Sequence, residues 1–108
     1  MKAELIEALW LSEHREFSLA ELTELSGLSE AELRELVDYG ALEPANPQAK
    51  QWIFSAERVL AARTACRLRN DFDLDMHGLA LILIYLDRIR DLEAELRDLR
   101  ARLPHWPR

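Results

Sequence analysis

Between residues 82 and 103 large apolar residues recur in alternating steps of three and four: Ile82, Tyr85, Ile89, Leu92, Leu96, Leu99 and Leu103. These are the a and d positions of roughly three heptads, the pattern that lets one helix pack along another. A helix running from Met76 to Leu103 is about 42 Å long at roughly 1.5 Å per residue. The chain has 108 residues, enough for one ordinary domain with a modest core. No further segment is left to cover the distal part of this helix, so a homodimer through these seven residues is expected.

The flanking charges fit such a seam. With Ile82 at a, Arg88 and Glu95 fall at g, and Glu93 and Arg100 at e. A parallel pair matches Arg88 with Glu93 and Glu95 with Arg100, whereas an antiparallel pair in a suitable register sets Arg88 against Glu95. The sequence leaves the orientation open, because exposed pairs are worth only about 0.2–1 kcal/mol each.

Two short helices are written upstream. Ser18 precedes Leu19, Leu22 and Leu25, with Glu21 three residues after the serine and Gly27 in place to end the helix. Ser29 and Glu32 repeat the capping box ahead of Leu33, Leu36 and Val37, and Gly40 marks the stop. Joined through Ser26-Gly27-Leu28-Ser29, the two read as a helix-turn-helix.

Pro44, Asn46 and Pro47 bar regular structure across 43–48, and Trp52-Ile53-Phe54 then suggests a small wing. Ser55 opens a third helix to about Arg69, with Val59, Ala62 and Cys66 inward. Asn70-Asp71-Phe72-Asp73-Leu74 breaks the pattern, and Asp75 is the expected N-cap of the long helix. The apolar residues Leu5, Ile6, Leu9 and Leu11 fit neither the helical nor the strand period. The expected fold is all-α, a winged helix-turn-helix head with a minimal β wing over 1–74, a coiled-coil helix over 75–103, and a frayed tail over 104–108.

Charge divides the chain. Its net charge is −6, but residues 1–48 hold eleven acids and three bases, whereas 49–108 hold nine acids and eleven bases. The acidity sits in the head, which suits duplex DNA poorly because binding there requires neutralised phosphates. Glu4 and Glu7 interrupt the first apolar stretch, so no export signal is expected. The apolar run from Leu79 to Leu86 is far shorter than the roughly 20 residues of a membrane span. The single cysteine, Cys66, fits a reducing compartment. A cytoplasmic protein is expected.

The order of elements resembles that of MerR-like proteins: a helix-turn-helix, Gly40-Ala41-Leu42-Glu43-Pro44, an aromatic wing and a C-terminal coiled-coil helix. The stretch Leu33-Arg34-Glu35-Leu36-Val37-Asp38-Tyr39-Gly40-Ala41-Leu42 is similar to the MerR recognition stretch. It departs where MerR regulators carry an aromatic pair, having Glu35 and Leu36, and where their wing is rich in arginine and tyrosine, having Gln51-Trp52-Ile53-Phe54. Both departures remove DNA-contacting chemistry, and both resemble the CbpM chaperone modulators, as do Arg67-Leu68-Arg69, Leu74-Asp75 and Gly78. The resemblance spans roughly residues 17–103. It implies binding to the J-domain of a DnaJ-like (CbpA-type) co-chaperone and restraint of its action on the Hsp70 (DnaK) system. The alternative is a MerR-type DNA-binding transcriptional regulator, and a third reading is an adaptor dimer with another protein partner.

Glu30, Glu35 and Asp38 on the second helix and Trp52 in the wing are the candidate partner-binding residues. An acidic helix complements the basic helix that a J-domain presents. The bland readings are a solvated face for the acids, with Glu32 already engaged in capping, and core packing for Trp52 and Phe54. Asp71, Asp73 and Asp75 alternate like calcium-loop carboxylates but lack that loop's glycine and distal glutamate. His14, His77 and His105 are scattered and Cys66 has no partner ligand, so no metal, cofactor or catalytic set is expected. Arg58, Arg63, Arg67 and Arg69 make the third helix basic. That feature favours DNA, unless these arginines pair with the acidic head or with Asp71 and Asp73.

Overall fold

The computed structural model describes residues 15–103. The reading of Leu5, Ile6, Leu9 and Leu11 and that of the tail over 104–108 lie outside them. Among the described residues the order is β1 (Phe17–Ser18), α1 (Leu19–Ser26), α2 (Glu30–Asp38), β2 (Ile53–Phe54), α3 (Ala56–Phe72) and α4 (Met76–Ala101).

Both capping boxes form. Ser18 Oγ accepts from the Glu21 N–H at 3.1 Å while Glu21 accepts from the Ser18 N–H at 3.0 Å. Ser29 and Glu32 do the same at 3.1 and 2.9 Å. These reciprocal bonds satisfy donors that the first helical turn leaves without partners. Gly27 ends α1 at φ 86°. Beyond the end of α2, Gly40 at φ 78° lets the Ala41 N–H reach the Leu36 carbonyl at 2.9 Å, a Schellman closure. In the turn between the helices, buried Ser26 accepts from the Leu28 N–H at 3.1 Å, so its hydroxyl is not stranded.

The wing strand β2 pairs antiparallel with β1, Phe17 opposite Phe54 and Ser18 opposite Ile53. Pairing with the residues directly before α1 is a feature the sequence did not announce. It is explained by burial, since Phe17 and Phe54 both lie in the core. Leu22, Leu28, Leu33, Leu36, Leu42, Val59, Ala62 and Ala65 complete that core, together with Leu79, Ala80 and Leu83 of α4. Each fully buried Leu or Phe contributes about 1.5–3 kcal/mol over exposure. Alanines 61, 62 and 65 give α3 a low surface over which its neighbours pack.

Helix α3 runs three residues past Arg69, through Asn70-Asp71-Phe72, and stops at Asp73, which adopts φ 52°. Aspartate tolerates this left-handed conformation better than most residues. Asp75 Oδ1 then caps α4 by accepting from the Gly78 N–H at 2.7 Å. Arg58 on α3 holds Asp87 on α4 at 2.9 Å, and Arg63 Nη1 donates to the Leu25 carbonyl at the end of α1 at 3.0 Å. No helix among the described residues is long and apolar enough to cross a membrane.

Candidate partner-binding surface

Helix α2 shows one face to solvent. Leu33 and Leu36 point into the core and Glu32 turns toward α3, which leaves Glu30, Ala31, Arg34, Glu35 and Asp38 exposed. Glu32 is occupied on both oxygens: Oε1 accepts from the Ser29 N–H and Oε2 binds Arg69. Burial acts to raise the Glu32 pKa, but the Ser29 N–H and the Arg69 guanidinium outweigh it and hold the carboxyl below its ordinary value.

The sequence candidates separate into two groups. At the start of α2, Arg34 Nε donates to Glu30 at 3.1 Å, and its guanidinium carbon lies 5.3 Å from the centre of the Trp52 ring. Trp52 itself is half-buried against the core, stands edge-on to Phe54 at 6.4 Å, and donates its indole N–H to the Pro47 carbonyl at 3.3 Å. Glu30 is thus ion-paired at the surface, and Trp52 lies partly under Arg34.

At the other end of α2, Glu35 and Asp38 make no ion pair among the described residues. They carry the negative charge of the exposed face that no described base pairs with. Beside them Tyr39 reaches α4, where its hydroxyl lies 3.1 Å from His77 Nδ1 and the two rings are 4.6 Å apart. No motif in the sequence singles out this pairing. His77, Leu81 and Ile84 recur at i, i+4 and i+7, a helical-face signal that the longer a/d series overshadows.

Six of the seven a/d residues keep to one side of α4, and Leu103, expected on the same helix, falls just past its end at Ala101. Ile82 is half-buried, whereas Tyr85, Ile89, Leu92, Leu96, Leu99 and Leu103 are exposed. At about 100° per residue they centre about 160° from the direction of Leu79, Ala80 and Leu83, which the head buries. The seam therefore lies on the face opposite the head and begins over the head itself.

The basic residues of α3 are largely engaged: Arg58 with Asp87, Arg63 with the Leu25 carbonyl and Arg69 with Glu32. Of the three alternating aspartates, Asp73 forms the left-handed cap and Asp75 the N-cap. The described residues hold no group of three His, Cys, Asp or Glu side chains that could bind a metal.

Comparison with known proteins places these features among relatives. Residues 17–101 match the family described as MerR HTH family regulatory protein. The chain is 38% identical over 90 residues to the chaperone modulatory protein CbpM of Escherichia coli O1:K1 / APEC, across 83% of this chain and 89% of that one. It shows the same identity and coverage with the proteins of that name from strains S88 / ExPEC and ED1a.

Proposed function

Because the chain belongs to the MerR helix-turn-helix family of regulatory proteins, and within it to the CbpM chaperone modulatory proteins, we propose that it is itself a chaperone modulator. In this reading it binds the J-domain of a DnaJ-like, CbpA-type co-chaperone and restrains that partner's action on the Hsp70 (DnaK) system. The carrying observation is the exposed face of α2, where a DNA-reading helix would need arginine, lysine or asparagine aimed at base edges. Here the positions hold Glu30, Glu35 and Asp38, and the lone Arg34 is tied to Glu30 and Trp52. An acidic helix is complementary to a basic J-domain helix and gains attraction that salt screens over about 8–10 Å.

The protein acts in this proposal as a homodimer joined along α4 through Ile82, Tyr85, Ile89, Leu92, Leu96 and Leu99, and through Leu103 just past its end. Supporting this are the side chains left exposed along the helix, with Tyr85 at 60% and Leu92 at 51%. A contiguous apolar stripe of this length needs a covering surface. Inhibition in this scheme is by occlusion of the J-domain, with no chemical step.

The test is the Hsp70 ATPase stimulated by the cognate J-domain protein. Adding the purified modulator should lower the stimulated rate toward the unstimulated one, with less effect as salt rises. A stimulated rate that stays constant at saturating modulator overturns the proposal.

A further inference from the structure

Two large apolar side chains on α4 are exposed without belonging to the a/d series: Leu81 at 54% and Ile84 at 39%. Ile84 lies about 110° around the helix from the centre of the a/d stripe, so a partner helix seated in that seam leaves it bare. His77, Leu81 and Ile84 share a strip about 60° wide along the flank of α4, with Leu81 on its border with the seam and Ile84 farthest from it. That strip begins where Tyr39, itself 39% exposed, meets His77. Across the junction, on α2, stand Glu35 and Asp38, the acids with no partner among the described residues. Glu35 is one turn before Tyr39, whose N–H donates to its carbonyl at 3.0 Å.

We propose that the corner where α2 meets α4 is the docking surface for an amphipathic basic helix, with apolar side chains over Tyr39, Leu81 and Ile84 and a basic edge facing Glu35 and Asp38. An apolar centre bordered by exposed charge is what a specific, reversible protein contact requires, because the centre supplies burial and the rim supplies orientation. The Glu30–Arg34–Trp52 cluster at the opposite end of α2 lies outside the surface. This inference rests on the J-domain reading for the identity of the guest and specifies where that guest sits.

The experiment compares four full-length proteins for binding to the purified J-domain of the cognate co-chaperone: the parent, Glu35→Lys/Asp38→Lys, Ile84→Arg and Glu30→Lys. Circular dichroism and sedimentation should be the same for all four, since each altered side chain is exposed and none is an a or d residue. Expected is a loss of tenfold or more in affinity for the first two variants and a change within twofold for Glu30→Lys. Unaltered binding by Ile84→Arg, or a Glu30→Lys defect as large as the double variant's, overturns the surface. If the parent binds no J-domain, the functional reading fails separately. A synthetic amphipathic helix of lysine and leucine then tests the corner by itself: binding that Ile84→Arg abolishes retains the surface, and absence of binding removes it.

Discussion

Arg69 binds the one carboxylate oxygen of Glu32 that the capping box of α2 leaves free. A single side chain thus starts the second helix and fastens it to the third, which sets where the exposed face of α2 points.

The stability of the head should fall in acid through Glu32. Its pKa is held below the ordinary value in the folded protein, so its contribution is fully present above the unfolded value near 4.5 and is lost as pH falls through the folded one. Glu32→Ala removes a cap and a partly exposed ion pair, a cost of about 1–2 kcal/mol at neutral pH. Urea denaturation at pH 7 and at pH 3.5 should show the parent and the variant drawing together at the lower pH.

Gly27→Ala should destabilise more than Gly40→Ala. Both glycines have positive φ, but a Cβ on Gly27 meets Cys66 Sγ at 3.1 Å, whereas one on Gly40 has nothing within 4 Å. The left-handed conformation costs either alanine about 1–2 kcal/mol, and crowding adds to it at Gly27. Thermal melts of the two variants, and of Gly27→Ala combined with Cys66→Ala, separate the contributions. The combined variant should regain only the crowding part.

Replacing Leu92 and Leu96 with glutamate should convert a dimer into a monomer by sedimentation without unfolding the head. Arg88→Glu should weaken the dimer in either orientation, by about 0.2–1 kcal/mol for each ion pair broken. Adding Glu95→Arg restores an antiparallel pair and further weakens a parallel one, so the double exchange reads out the orientation.

Duplex DNA should be bound no more tightly than about 1 µM at physiological salt, the range of non-specific association. A mobility-shift screen with genomic fragments checks this, and a footprint at lower concentration would restore the transcription-factor reading.

The most legible elements in the sequence are those governed by neighbours three or four residues apart. Ser18 with Glu21, Ser29 with Glu32 and Asp75 with Gly78 are local bonds, and α1, α2 and α4 start where they place them. Strand β1 was not legible, because two residues carry no period and Phe17 is a strand residue only through Phe54, which is far off in the chain. The overrun of α3 to Phe72 was hidden by Asn70 and Asp71, poor helix formers that the helix nevertheless includes. On α4 the a/d pattern located the outward stripe, but Leu79, Ala80 and Leu83, the residues that tie the helix to the head, lie on another face. Likewise Glu30, Glu35 and Asp38 read alike as acids, and only the position of Arg34 separates Glu30, which it binds, from the other two, which pair with no described base.

From Arg88 to Ala101 every residue of α4 is exposed. Among the described residues the head buries none of that stretch, and the Asp98–Arg102 pair at 3.0 Å adds only about 0.2–0.5 kcal/mol. A solitary helix of about 12–15 residues is marginal in water. Coil-to-helix ordering of this arm is therefore coupled to its being covered: dilution that separates two copies should also unwind the arm, and far-ultraviolet ellipticity becomes a gauge of assembly.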